Sequence, residues 1–353
     1  MLIYLSVIVI IVIYKIDLIK KRFFFNDFLS KSKADAIKGI FIVIVFINHI
    51  KEYYIQAGAD MSAWYDKAFF LPAKALGQLM VVMFLFYSGY GVTESIKKKG
   101  EAYIKNIPKR RVLGTLANFD VAIVVFTVAS LLIGKTVGAE QFLLSLVGWS
   151  DVGNSNWYIF SIIVCYALTY LSFRINRKRG VALLSSFLVG YAFIMSFYKG
   201  TWWYNTVFAY GAGAMLSEHK EWLMAQWKRH YSKWLVIATL GFLVCLGCYL
   251  TFYKYFKSNM ETTGAMVFNI MSVFFAYLIV LITMKVSIIN GVLVWLGTNL
   301  FPLYIYQRLP MMILTTLFPS ILVASHPYIF LILCMGITVS IAWGYKFIQI
   351  KVN

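Results

Sequence analysis

A lysine and a histidine eleven residues apart, inside a nearly unbroken apolar stretch, are the first residues whose types suggest chemistry. The stretch is residues 37–55, IKGIFIVIVFINHIKEYYI. At 3.6 residues per turn, Lys38 and His49 leave the same helix face about 16 Å apart along the axis. An ionisable side chain within a lipid-crossing segment is costly and is a functional candidate by default. His49 is a proton acceptor whose ordinary pKa, near 6.5, suits a general base. Glu52, three residues on, shares that side of the helix and is placed to orient the imidazole. Its other reading is a solvated carboxylate at the mouth of the span. Tyr53 follows one turn after His49, whereas Asn48 is read as turned to a neighbouring helix. Arg308, next to Gln307, is the second costly group. An arginine at membrane centre costs about 2.5–3.5 kcal/mol on insertion scales, so it either lines an outer cavity, where it binds acceptor or pairs with a carboxylate, or sits near the interface.

These residues need elements to hold them, and the composition says that the elements cross a membrane. The chain has 353 residues, 61% of them hydrophobic and only 13% charged, where a soluble domain carries about 25% charged. The expected fold is all-α: a polytopic transmembrane helical bundle of about 10–11 spans, one integral membrane domain over residues 1–353. The spans expected from hydropathy are 1–16, 37–55, 76–94, 115–134, 157–173, 181–198, 202–217, 234–252, 264–284, 292–318 and 327–345. Pro302 and Pro310 interrupt the tenth, because proline breaks the helical ladder. Residues 1–16 lack a basic leader and a small-residue cleavage site, and are read as a retained span.

Loop charges test that map. With residues 17–36 placed in the cytoplasm, 25 of the 33 lysines and arginines fall in inner segments and seven in outer ones. That alternation follows the positive-inside rule. It accounts for the net charge of +19 without invoking nucleic acid. It sets the N-terminus outside and the C-terminus in the cytoplasm, with Lys38 at the inner end of its helix and His49 towards the outer half. Such an arrangement suits a donor arriving from inside and an acceptor waiting outside.

No Walker loop, GxGxxG, HExxH or GxSxG occurs, and no Cys/His set has zinc-site spacing, so no metal is expected. The GxG at Gly211–Gly213 is read as close helix packing. The four cysteines lie in apolar runs, and the pair Cys245 and Cys248 is read as small interior residues. Outward aromatics such as Trp64, Trp202 and Trp203 suit sugar stacking, but a membrane aromatic belt predicts the same positions and is the preferred reading. Asp120 is read as pairing with Arg110 or Arg111.

Lys38-x10-His49, with Asp35 before the lysine and Gly39 after it, resembles the first signature of the membrane acyltransferase family three. Residues 81–92, VVMFLFYSGYGV, look like that family's phenylalanine-rich Ser-Gly segment, here Ser88-Gly89. A basic loop, Lys109-Arg110-Arg111, follows in the expected place. NWYIFSIIVCY (156–166) is similar to the tryptophan-led span, with Trp157, and LGTNLFPLYIYQRLP (296–310) to the late Gly…Tyr segment. The resemblance covers a core of about 33–349 and leaves 1–16 as an added span. It departs from the usual pattern at Lys38, where arginine is common; at Gly114, where a second arginine would follow one turn on; and at Gln307, where many relatives have histidine. Lysine keeps the charge but loses the planar fork.

The resemblance implies a membrane O-acyltransferase. It would take an acetyl or other acyl group from cytosolic acyl-CoA, commonly acetyl-CoA, to a hydroxyl of an extracytoplasmic glycan or lipid-linked sugar. Thioester-to-hydroxyl transfer needs a base, donors for the oxyanion and positive charge for the carrier. On that reading His49, Glu52 and Ser88 are catalytic, although Ser88 also suits close helix approach. Lys38, Arg110 and Arg111 hold the donor's phosphates. Tyr53, Trp157, Gln307 and Arg308 bind acceptor. The expected partners are the lipid bilayer, a carbohydrate acceptor and acyl-CoA, and the expected location is the cytoplasmic membrane. The alternative is a transporter or flippase for an anionic or lipid-linked sugar, which a pair of broken helices would favour. A further alternative is a degenerate relative acting as an assembly partner.

Overall fold

In lipid every backbone N–H and C=O must be satisfied within its own segment, so long apolar runs fold as helices. The computed structural model describes residues 2–20, 23–255 and 261–350. Lys21, Arg22, Lys257 and Lys351 of the charge count lie outside the described residues, as do the side chains of Tyr253, Lys254 and Tyr255. In chain order the helices begin with α1 (Leu2–Ile13), α2 (Lys31–Gln56), α3 (Trp64–Leu76), α4 (Val82–Lys99), α5 (Glu101–Ile107) and α6 (Gly114–Leu132). Then come α7 (Ala139–Leu146), α8 (Trp157–Ile175), α9 (Gly180–Met195), α10 (Phe208–Glu218), α11 (Lys220–Arg229) and α12 (Tyr231–Tyr255). The last five are α13 (Glu261–Thr283), α14 (Gly291–Thr298), α15 (Leu300–Tyr306), α16 (Arg308–Leu317) and α17 (Pro327–Gly344). Among the described residues the strands are β1 (Ile16–Leu18) and β2 (Val286–Ile288), an antiparallel pair.

The molecule is the all-α, polytopic helical bundle expected. Seven helical stretches among the described residues are long and apolar enough to cross a membrane. Two of them each join two α-helices: α3 and α4 through a 3-10 turn, and α5 and α6 through a π-helical turn at Pro108–Leu113. α2 has 26 residues and is about 39 Å long at 1.5 Å per residue. It is long enough to cross, and its polar residues set it apart from those seven.

Three expected spans come out differently. α1 has 12 residues, about 18 Å of helix against a hydrocarbon core of about 30 Å. It stops where Lys15 takes a positive φ of 61° and the chain turns into β1. The expected seventh span is the 11-residue α10, buried inside the bundle. The tenth is divided into α14, α15 and α16. Each later break falls just ahead of a proline, since Pro302 and Pro310 give up an N–H and clash with the carbonyl four residues back.

Small residues let two helix pairs approach at backbone distance. On α2 and α14, a Cβ at Gly39 would collide with the Leu293 carbonyl, and one at Gly297 with the Asp35 carbonyl. On α4 and α10, a Cβ at Gly89 would strike the Tyr210 carbonyl and one at Gly213 the Phe86 carbonyl. Both motifs read from sequence as packing or chemistry, Ser88-Gly89 and Gly211–Gly213, therefore supply a glycine to one close crossing.

The ends of the bundle sort by charge. Arg174 bonds Glu101 at 2.7 Å, Lys97 the Ser217 carbonyl at 2.6 Å, Lys220 Glu94 at 3.6 Å and Lys228 Asn26 at 2.8 Å. Lys285 donates to the Phe23 carbonyl. Segments that carry most of the basic residues thus meet at one end. At the other end Lys199 donates to the Trp149 carbonyl at 2.8 Å, and Tyr54 to that of Pro327.

Candidate active site

The C-terminal half of α2 opens onto a cleft of about 950 Å³, the upper end of the range for ligand pockets. At 100° per residue, Asn48, Glu52, Val45 and His49 fall within one 100° arc of α2, and Lys38 lies on the same arc. All but Lys38 line this cleft. Asn48 therefore faces the cleft and not a neighbouring helix: adjacent residues share a face when the arc is as wide as this one.

His49 is buried, and its Nδ1 has no hydrogen-bond partner among the described residues. Gln307 neighbours the imidazole, and its amide nitrogen donates to the Tyr304 carbonyl at 3.1 Å. Tyr304 itself stands 6.4 Å away, ring to ring, and its buried hydroxyl neighbours that of Ser155. The breaks on either side of α15 are what turn Tyr304, Gln307 and Arg308 toward α2.

Arg308 is not bare in lipid. Its Nη2 lies 3.3 Å from Glu52 Oε2, its Nε donates to the Tyr53 hydroxyl at 3.4 Å, and its guanidinium sits over the Tyr53 ring at 5.6 Å. This places Glu52 in an ion pair at the mouth of the cleft. Trp157, at the start of α8, lines the same cleft. Five expected site residues, His49, Glu52, Trp157, Arg308 and Gln307, are thus brought together, with Tyr53 behind Arg308.

The remaining four belong to the basic end. Lys38 is paired with buried Asp35 at 2.7 Å, and Asp35 also accepts from Thr298 at 3.3 Å. The basic segment at Lys109–Arg111 is not a loop: it forms the π turn of a helix continuous from Glu101 to Leu132. Arg110 and Arg111 are exposed there and pair with no carboxylate among the described residues. Arg111 donates from Nε to the Tyr103 hydroxyl at 3.1 Å and stands over the Tyr166 ring at 5.8 Å. Ser88 neighbours Tyr166, over whose ring Arg111 stands, and does not line the cleft of His49, so it lies with the Arg111 group. Asp120 forms no ion pair with Arg110 or Arg111, and one of its carboxylate oxygens is buried without a partner.

Sequence reasoning missed one wall of the cleft, the segment between α7 and α8. Asp151, Asn154, Ser155 and Asn156 all line it. The clustered Gly, Asn, Ser and Asp of GWSDVGNSN (148–156) mark a turn, which is the signal that could have found it. The expected interior cysteines are divided: Cys165 and Cys334 are buried, Cys245 is half-buried and Cys248 exposed, all as free thiols.

A helical bundle with seven membrane-length apolar stretches among the described residues, around a cleft lined by a histidine, is that of a multi-pass membrane protein. A family model described as an acyltransferase domain matches residues 32–345. The chain belongs to acyltransferase family 3, and is a membrane acyltransferase. No curated protein and no solved structure matches it.

Proposed function

We propose that the protein is an O-acyltransferase of the cytoplasmic membrane, moving an acetyl or other acyl group from cytosolic acyl-CoA to a hydroxyl of an extracytoplasmic glycan or lipid-linked sugar. The observation that carries this is His49: a buried imidazole, its Nδ1 unpartnered, lining a ligand-sized cleft with Glu52 and Trp157. The basic end of the bundle, which the charge count assigns to the cytoplasm, fits the donor. Arg110 and Arg111 are exposed and pair with no carboxylate among the described residues, which leaves them open to phosphate. Lys38 joins them only by loosening its bond to Asp35.

In the transfer, His49 takes the proton of the acceptor hydroxyl as its oxygen attacks the thioester carbonyl. The C–O bond forms, the C–S bond breaks, and the carrier leaves as its thiol once the proton is returned. Glu52 and Arg308 shape the mouth through their ion pair. Lys38 and His49 are about 16 Å apart along α2, so the donor must reach the cleft with an extended arm.

The test is deletion of the gene followed by restoration with wild type or His49→Ala, with ester-linked acyl groups on envelope glycans measured by mass spectrometry. Wild type should restore them and His49→Ala should not. Equal acylation by the alanine variant at matched expression refutes the role of His49.

A further inference from the structure

The cleft wall formed by the segment between α7 and α8 bears on what the cleft can bind. Asn154 and Ser155 are each more than nine-tenths buried, and both line the cleft. Among the described residues Asn154 Nδ2 and Gln78 Oε1, which also lines the cleft, have no hydrogen-bond partner, and the Ser155 and Tyr304 hydroxyls, which neighbour each other, bond no further group. The segment is held from behind. Asn156 donates to the carbonyls of Gly148 and Ser150 at 3.1 and 2.9 Å, Gln141 to that of Asp151 at 2.8 Å, and Asn154 Oδ1 accepts from the Val152 N–H at 3.0 Å. The unpartnered atoms are thus fixed in place ahead of any ligand, which lowers the cost of binding one.

Their chemistry is mixed: one amide donor, one amide acceptor and two hydroxyls that can do either. A carboxylate or phosphate would be met by donors and excess positive charge. The charged residues lining the cleft are instead Lys74 and Arg308 against Glu52 and Asp151, a formal balance of zero. Of these, Arg308 and Glu52 already neutralise each other. Trp157 and Trp202 add flat apolar surface.

We infer that Asn154, Ser155, Gln78 and Tyr304 form a subsite for an uncharged glycosyl unit, holding it by its hydroxyls against His49 and disfavouring sugars that carry a carboxylate or phosphate. The inference rests on the acyl-transfer reading above but is tested apart from it, by binding in the absence of any acyl donor.

The probes are methyl β-cellobioside and the same disaccharide with its terminal hydroxymethyl oxidised to a carboxylate. Binding to the purified full-length protein is followed by saturation-transfer nuclear magnetic resonance. The neutral probe should bind at least about tenfold more tightly than the acid. Asn154→Ala and Ser155→Ala should each weaken it by about tenfold, the effect of stranding one hydrogen-bonding group. Asn154→Asp keeps the acceptor for the Val152 N–H but replaces the donor by a negative charge, so it should weaken the neutral probe at least as much as alanine does and widen the discrimination against the acid. Asp151→Asn leaves a net positive lining and should narrow the preference several-fold. Equal or tighter binding of the acid, no saturable binding of either probe, or wild-type affinity in the Asn154 and Ser155 variants overturns the subsite. Transfer of acyl groups with no such binding would sink the subsite alone, and binding without transfer would sink the transferase reading alone.

Discussion

The pairing of Arg308 with Glu52 can be tested by a double-mutant cycle built from Arg308→Met, Glu52→Gln and the double variant. At their separation of 3.3 Å, Coulomb's law gives about 5 kcal/mol at an effective dielectric near 20 and about 1 kcal/mol in water. The side chains are 27% and 50% exposed, so water screens the pair and the lower figure governs. The expected coupling energy is about 1 kcal/mol, roughly 2 °C in the thermal midpoint of the purified protein in detergent. At 1 M salt, where the screening length is about 3 Å, the coupling should fall by half or more. Arg308→Met alone should cost about 0.5–1 kcal/mol more than Glu52→Gln, because it also removes the guanidinium from the Tyr53 ring. A coupling above about 3 kcal/mol, insensitive to salt, would mean that the pair is dry, and the open mouth of the cleft would have to be abandoned.

Other expectations follow from the packing and the basic end. Gly297→Ala should destabilise by about 1–3 kcal/mol, since its methyl meets the Asp35 backbone; Gly336→Ala, whose methyl meets open space, should not. Equal midpoints for the two variants would remove the close crossing of α2 and α14. Arg111→Met should raise the KM for acyl-CoA about tenfold with kcat within about twofold, and a fall in kcat alone would place Arg111 outside donor binding. Lys33 is buried beneath the Phe25 ring and bonds Asp27 at 2.7 Å, which holds the Asp27 carboxyl below the usual range. A depressed carboxylate stabilises above its unfolded pKa, near 3.9, and loses that contribution as the pH falls through the folded value. Asp27→Asn should therefore remove part of the stability lost below about pH 4, read as a flatter acid limb of midpoint against pH.

Much of the site was legible because it lies on one helix. Lys38, His49 and Glu52 share an arc of α2 by the arithmetic of 100° per residue, and no tertiary contact is needed to see it. Asn48 lines the cleft although its adjacency to His49 suggests that it lies off that face, because the cleft spans an arc of about 100°. The segment 148–156 could be read as a turn but not as a wall, since its unpartnered atoms are defined by what the fold leaves unsatisfied. Residues 1–16 showed why apolar length is not span length. Hydropathy sees residues but not the turn at Lys15, where the chain leaves the helix to pair with β2.

By itself the sequence determined that this is a helical membrane protein, which ends of its segments group together, and that a histidine and a lysine share a face. Those properties follow from composition and from the period of a single helix. Only the tertiary structure decided that Ser88 belongs with Arg111, that Arg308 is neutralised by Glu52, and that Asn154 and Ser155 line the same cleft as His49. Such neighbours come from different helices, and they meet because glycines at four positions let backbones approach and two prolines break the helix that carries Tyr304 and Arg308.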